Sequence, residues 1–235
     1  MKTFSLTTII TGLLSITQLF AQSDSNDKLK FTPIRHATFV IETSDATIYV
    51  DPVGDVSAFS DFTDPDIILI TDIHGDHLNA DVIKSLKTDK TTIITPKAAY
   101  DILGYGEILN NGENIKVDNI NVEAIPMYNT TKERLDFHPK GRGNGYVLSV
   151  DGKRIYISGD TEDIKEMREL KNIDYAFVCM NLPYTMTVEQ AASAVLEFKP
   201  KVVFPYHYRG SDIENFKQLV SANKDIEVRL LDWYK

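Results

Sequence analysis

Apolar residues fall along this chain in short runs, some alternating with polar ones and some continuous. From Leu29 to Val50 the pattern reads as two or three strands with a turn at Ser44-Asp45, and Asp51-Pro52 ends the last of them. Between Asp66 and Asn79 lies the uninterrupted run Ile67-Ile68-Leu69-Ile70, the pattern of a fully buried strand. A short helix near Asp81–Leu86, a strand at Thr92–Ile94 and a helix opened by Pro96 and running through Leu103 follow. Short strands between Glu107 and Pro126 are punctuated by Asn111-Gly112 and Asp118-Asn119. Gly145–Val150 and Arg154–Ser158 flank the hairpin signal Asp151-Gly152. Ile164, Met167 and Leu170 suggest a short helix, and Tyr175–Cys179 another buried strand.

Thr187-Val-Glu-Gln190 has the form of a capping box, in which the first residue and the fourth satisfy each other's backbone N–H groups. Behind it Val188, Ala191, Ala192, Val195 and Leu196 keep helical spacing until Pro200. A strand at Val202–Phe204 precedes a second box, Ser211-Asp-Ile-Glu214, whose helix carries Phe216, Leu219 and Val220 on one face. Glu227–Leu230 is the last strand. Strands dominate both halves with helices between them, which predicts an α/β domain of mixed sheets.

The chain has 235 residues. Its first residues order themselves as a secretory leader: Lys2, an apolar stretch from Ile9 to Phe20, then Leu19-Phe20-Ala21 with a small residue at the cut. The apolar stretch is short and broken by Thr, Ser and Gln, which disfavours an uncleaved membrane anchor. Residues 1–21 are therefore expected to leave, residues 22–30 to form an unstructured lead-in, and residues 31–235 to form one domain. The net charge of −9 and the pI of about 5.0 argue against nucleic acid or anionic membrane surfaces as partners and leave a small-molecule substrate as the expectation. Cys179 is the only cysteine, so no internal disulfide is available, and its place in an apolar run predicts a buried, inert thiol.

Chemistry enters where the buried run of residues 67–70 ends. Within six residues come Asp72, His74, Asp76 and His77, with Gly75 expected to let the turn fold tightly. Imidazole and carboxylate are the ligands of zinc and its neighbours, and a buried strand is a rigid mount for the loop that carries them. The chain has only five histidines, and two of them stand here beside two aspartates. The other candidates also follow strands or turns: Asp160 after Arg154–Ser158, His207 after Val202–Tyr206, and His138 ahead of a glycine-rich turn.

Thr71-Asp-Ile-His-Gly-Asp-His77 resembles the T-H-x-H-x-D-H motif of the metallo-β-lactamase superfamily, with Asp72 where the usual residue is His. Ser158-Gly-Asp-Thr161 resembles the G-D motif of the same superfamily, and Pro205-Tyr-His207 the segment of its last histidine ligand. Residues 137–146 resemble a segment of the branch of ascorbate-6-phosphate lactonase-like proteins. The resemblance implies an αββα sandwich. It also implies a centre of two divalent metals, zinc or manganese/iron, held by Asp72, His74, Asp76, His77, His138, Asp160 and His207, with Asp160 bridging. Asp76, Asp160 and His207 would serve catalysis. His138 stands either as a ligand, in place of the histidine missing at Tyr128-Asn129, or at the substrate rim. His36, Tyr128 and Arg209 are the candidate substrate contacts, with Lys140 and Arg142 as weaker ones. Asp72 brings an oxygen donor where nitrogen is usual, which moves preference from zinc toward manganese or iron.

The function this implies is an exported metal-dependent hydrolase that uses a metal-bound hydroxide on a small ester, lactone or phosphodiester. A β-lactamase proper, or a binding protein with a degenerate metal site, are the alternatives. The leader makes one direct prediction: the exported protein begins at Gln22 in N-terminal mass analysis, and intact Met1 in a soluble cytoplasmic pool would remove the leader from the account.

Overall fold

The computed structural model describes residues 29–234. The leader, its cut after Ala21 and residues 22–28 of the lead-in lie outside the described residues. Strand β1 (Lys30–Arg35) begins one residue before the expected domain start.

Among the described residues, thirteen strands form two sheets. The first contains β1, β2 (Thr38–Glu42), β3 (Thr47–Val50), β4 (Ile67–Leu69), β5 (Thr92–Thr95) and β6 (Glu107–Ile108), side by side in that order. The second holds β7 (Asn114–Val117), β8 (Ile120–Met127), β9 (Gly143–Val150), β10 (Lys153–Ile157), β11 (Tyr175–Cys179), β12 (Val202–Tyr206) and β13 (Glu227–Val228), again in chain order. Antiparallel hairpins start each sheet, and parallel pairs complete it: β3 to β6 in the first, β10 to β13 in the second. The helices are α1 (Ala80–Leu86), α2 (Lys97–Leu103), α3 (Lys165–Arg168), α4 (Val188–Phe198) and α5 (Ile213–Val220).

Period-two alternation explains the layering. In the first sheet Phe39, Ile41, Ile48, Val50, Ile67 and Leu69 face the second sheet, where Val122, Tyr146, Leu148, Ile157 and Phe177 meet them. The intervening residues Val40, Tyr49, Ile68, Ile70 and Ile93 point the other way, onto Phe59, Ile83 of α1 and Ala99 of α2. Helices α3, α4 and α5 send Met167, Ala191, Val195, Phe198, Phe216 and Val220 into the main core. The result is the expected αββα sandwich, with the interior strands β4 and β11 buried on both faces, which is why they read as unbroken apolar runs.

Local signals decide where elements start. Thr187 and Gln190 cap each other at the start of α4 as predicted. At α5 the N-cap is Asp212, which accepts from Asn215 N–H, one residue later than the second box predicts. Ser211 instead donates its hydroxyl to the Met180 carbonyl, a tertiary bond that outbids the local one. No helix among the described residues is long and apolar enough to cross a membrane. Cys179 is fully buried, as expected, and burial pushes its thiol up to about 12.

An aromatic cluster joins the sheets. Phe177 stacks on Phe204 at 4.8 Å and on Phe39 at 4.4 Å, with Trp233 edge-on at 6.3 Å. Phe177→Ala is therefore expected to cost about 3–5 kcal/mol of unfolding free energy. Urea denaturation followed by Trp233 fluorescence measures it, and a loss near zero would mean the two sheets are not coupled through this residue.

Candidate metal centre

The strand ends nearest one another build the site. Asp51 follows β3, residues 71–77 follow β4, the loop bearing His138 follows β8, Asp160 follows β10, and His207 follows β12. Cross-sheet bonds fix the spacing: Asn144 N–H donates to the Thr71 carbonyl (2.9 Å), and Tyr146 OH to the Ile70 carbonyl (2.7 Å). Gly159 sits just before Asp160 with φ +60°, and a Cβ there would lie 2.5 Å from Met127 Sδ. That sulfur accepts the Asp160 N–H, so glycine is what lets the loop close on it. Gly75 has no such reason: its φ is not left-handed, and an added Cβ would meet nothing within 4 Å.

His77 is fully buried, and its Nδ1 faces Asp51 Oδ2 at 2.8 Å and Thr71 Oγ1 at 2.9 Å. Asp51 also accepts from Thr71 N–H at 2.7 Å. Burial lifts the Asp51 carboxyl above its usual range although His77 and Thr71 pull it down, and Asp160 and Asp51 outweigh burial to hold His77 well above its ordinary value. The two directions pull against each other, and the geometry decides between them. Each partner of Asp51 is a donor, so the ionised carboxylate satisfies them and orients the ring with Nε2 toward the cavity. There Nε2 has no hydrogen-bond partner and stands 3.3 Å from Asp160 Oδ2.

Asp160 is the hub. His138 Nε2 lies 3.1 Å from its Oδ2, and His207 Nδ1 lies 3.4 Å from its Oδ1. Its Oδ1, both His138 nitrogens, His207 Nδ1 and His77 Nε2 are all buried without a hydrogen-bond partner. Burial opposes ionisation of Asp160, but His207 and His77 outweigh it and hold the carboxyl well below its usual range. Burial likewise opposes Asp76, yet hydrogen bonds from His207 and His36 hold that carboxyl well below its ordinary value. Asp160 therefore keeps its charge only while positive charge faces it, carried by protons on these imidazoles or, where their lone pairs are free, by a cation between them.

Donor atoms of His77, Asp160 and His207 lie within 4.8 Å of one another, as do those of Asp72, His74 and His138, and of His36, Asp76 and His207. These overlapping groups are consistent with a two-metal centre, and the residues fit such ions by donor type and by their unpaired buried atoms. In the third group His36 has a different task. Tyr234 OH accepts from Tyr208 N–H (3.0 Å) and Arg209 N–H (2.8 Å), which uses both its lone pairs. Its own proton therefore goes to His36 Nδ1, 2.8 Å away, and His36 Nε2–H donates to Asp76 Oδ2 at 3.1 Å. His36 thus aims Asp76.

Seven of the predicted residues line one cavity of about 280 Å³: His36, His74, Asp76, His138, Asp160, His207 and Arg209. Phe137, Asn181 and Tyr184 complete the wall. His77 and Asp72 lie fully buried behind it. Tyr128 is not brought to this cavity. Its hydroxyl donates to Glu166 Oε2 at 2.9 Å, and Lys140 sits 4.4 Å over its ring. Arg142 grips Asp72 and does not line the cavity. Asp51, Tyr234 and Glu162 were not singled out by the sequence. Glu162, wholly buried, accepts from Thr130 N–H, Thr131 N–H and Arg134 Nη1, and so pins the loop that presents His138. A signal existed for Asp51, which follows an apolar strand just as Asp160 does, and none for the other two.

A family model described as a beta-lactamase superfamily domain matches residues 30–207. The chain belongs to the metallo-β-lactamase superfamily. A UPF0173 metal-dependent hydrolase of Pyrococcus abyssi is 33% identical over 223 residues, covering 86% of this chain and 95% of that protein. A UPF0173 metal-dependent hydrolase of Pyrococcus horikoshii is 32% identical over 219 residues, with the same two coverages of 86% and 95%. Among solved structures, a proposed metal-dependent hydrolase from Parabacteroides distasonis superposes with a TM-score of 0.81 at 43% identity, covering 86% of this chain and 92% of that one. The metallo hydrolase Igni18 of Ignicoccus hospitalis, at 24% identity, shares the fold with a TM-score of 0.74 over 88% of this chain and 96% of its own.

The Asp51 contact yields a test. Asp51→Asn removes the charge that orients His77 and is expected to weaken zinc binding about 10–100-fold. Competition against a zinc-responsive dye measures it, and unchanged affinity would mean Asp51 only terminates β3.

Proposed function

We propose that this chain is an exported metal-dependent hydrolase acting on a small ester, lactone or phosphodiester that carries an anionic group. The observation that carries the reading is the set of buried, unpaired donor atoms from His138, Asp160 and His207, which line an open cavity, and from His77 just behind it. Divalent ions held there, zinc or manganese/iron and up to two per chain, supply a lowered pKa for bound water and polarisation of the oxygen under attack.

The protein groups do the rest. Asp160 holds the imidazoles together across the floor and keeps its charge despite burial. Asp76, whose side chain is 42% exposed, reaches into the cavity, and His36 and His207 hold it as an ionised acceptor able to orient a water. Arg209 stands exposed at the rim, where its charge suits an anionic substrate group. Phe137 and Tyr184 pack edge-on at 5.1 Å and give the cavity lining an apolar surface. The likeness of residues 137–146 to the ascorbate-6-phosphate lactonase-like branch supports lactones among the substrates to try first. Export rests on the order of charge, apolar stretch and small residue in the leader.

A panel of p-nitrophenyl esters, simple lactones, bis-p-nitrophenyl phosphate and nitrocefin tests the reading. At least one of the first three is expected to turn over, to stop after chelation and to resume on adding zinc or manganese. Turnover that survives complete metal removal would defeat the proposal, and nitrocefin as the sole substrate would move it to a β-lactamase.

A further inference from the structure

The two groups of donors flanking Asp160 are not equivalent. Around His77, Asp160 and His207 three lone-pair atoms are buried and unpaired. Around Asp72, His74 and His138 the two His138 nitrogens are unpaired as well, but the carboxylate is already engaged. Arg142 Nε lies 3.1 Å from Asp72 Oδ1 and its Nη2 3.0 Å from Oδ2, a two-pronged pair, and His74 Nδ1 lies 2.8 Å from the same Oδ2. Oδ2 thus faces two donors, and one lone pair of Oδ1 is left. Arg142 Nη2 is anchored further by the Phe137 carbonyl and comes within 3.4 Å of His74 Nε2. The Asp72 side chain is 0% exposed and that of Arg142 16%, so the pair is shielded from water and its positive end is permanent.

Charge counting points the same way. Arg142 cancels Asp72, which leaves Asp76 and Asp160 as the two cavity-lining carboxylates, a charge that one divalent ion balances; Asp51 stands behind His77, where its own donors meet it. A second ion must share Asp72 with a guanidinium in contact with it, or break a buried pair.

Resting on the metallo-hydrolase reading, we propose that the two cation places fill in order: a tight one at His77–Asp160–His207, then a weak one at Asp72–His74–His138, where Arg142 competes for the carboxylate. Arg142 is thereby a positioning residue that sets metal stoichiometry and never needs to touch substrate. An anionic substrate, by offsetting the added charge, would favour the second ion.

The experiment reads metal, not turnover. Full-length protein is charged with zinc chloride, dialysed against metal-free buffer and assayed by mass spectrometry, then titrated calorimetrically with zinc and with manganese. Wild type is expected to retain one equivalent, the second binding about tenfold or more weakly. Arg142→Gln is expected to strengthen the second event about tenfold or more, because it leaves Asp72 without its cation. Asp72→Asn is expected to keep the retained equivalent and lose the second event. Two equivalents of matched affinity in wild type overturn the proposal and leave the hydrolase reading intact. So does loss of the retained equivalent in Asp72→Asn, which also serves if Arg142→Gln does not fold by circular dichroism. An unchanged second event in folded Arg142→Gln overturns it too. No metal bound at all overturns the proposal and the hydrolase reading together.

Discussion

The centre of this molecule is an excess of buried electron pairs. Asp160 meets His77, His138 and His207, and none of the facing atoms Asp160 Oδ1, His77 Nε2, His138 Nε2 or His207 Nδ1 has a hydrogen-bond partner. A buried acceptor facing another acceptor is costly, and the cost falls when a cation enters between them. The surrounding structure makes sense as the means of holding that arrangement in place. The Phe39–Phe177–Phe204 stack couples the two sheets, and the Asn144 and Tyr146 bonds to the end of β4 set the distance between their rims.

Supports for the site reach it from several chain segments, most of them far apart in sequence. Asp51 orients His77 from 26 positions upstream, Tyr234 reaches back 198 positions to His36, and Arg142 reaches back 70 to Asp72. Glu162 secures the His138 loop through bonds spanning 28 to 32 positions. Because each candidate donor is fixed by a different segment, the donor set is formed without an ion, so binding one need not order loops.

That distribution also explains what was legible in the sequence. The layers of the fold and the loop after β4 could be read because their signals are local: an apolar run, then a change within one residue to candidate donors. His207 and Asp160 could be read because each follows a strand. Tyr128 could not be placed, since its side depends on strand alternation continuing past Met127. Met127 faces Asp160 beneath the centre, so the next residue turns away, toward Glu166 on α3. Arg142 was ambiguous because a lone arginine beside glycines carries no sign of a partner so distant. Tyr234 carries no local sign of a role, and only the two backbone N–H groups it accepts reveal that its proton must go to His36.

Three of the seven non-glycine residues with left-handed backbones among the described residues stand at the site. His36, Asp51 and His207 all have left-handed backbones, with φ of 50°, 44° and 47°. Aspartate and histidine visit this region more readily than most residues, but at a cost of order 1–3 kcal/mol each it persists only where neighbours over-determine it. Here the neighbours are identifiable. His36 is held by Tyr234 and by its N–H to the Trp233 carbonyl, Asp51 by Thr71 and by Thr38 bonding its carbonyl, and His207 by its N–H to the His36 carbonyl. His36 and His207 therefore stabilise each other's unfavourable backbones across the two sheets, with their rings 3.8 Å apart. Relaxing either φ would swing its imidazole off Asp76, and with it the acceptor that faces the cavity. The strain is thus coupled to the aim of Asp76, and the same sheet-to-sheet packing that stabilises the fold sustains both.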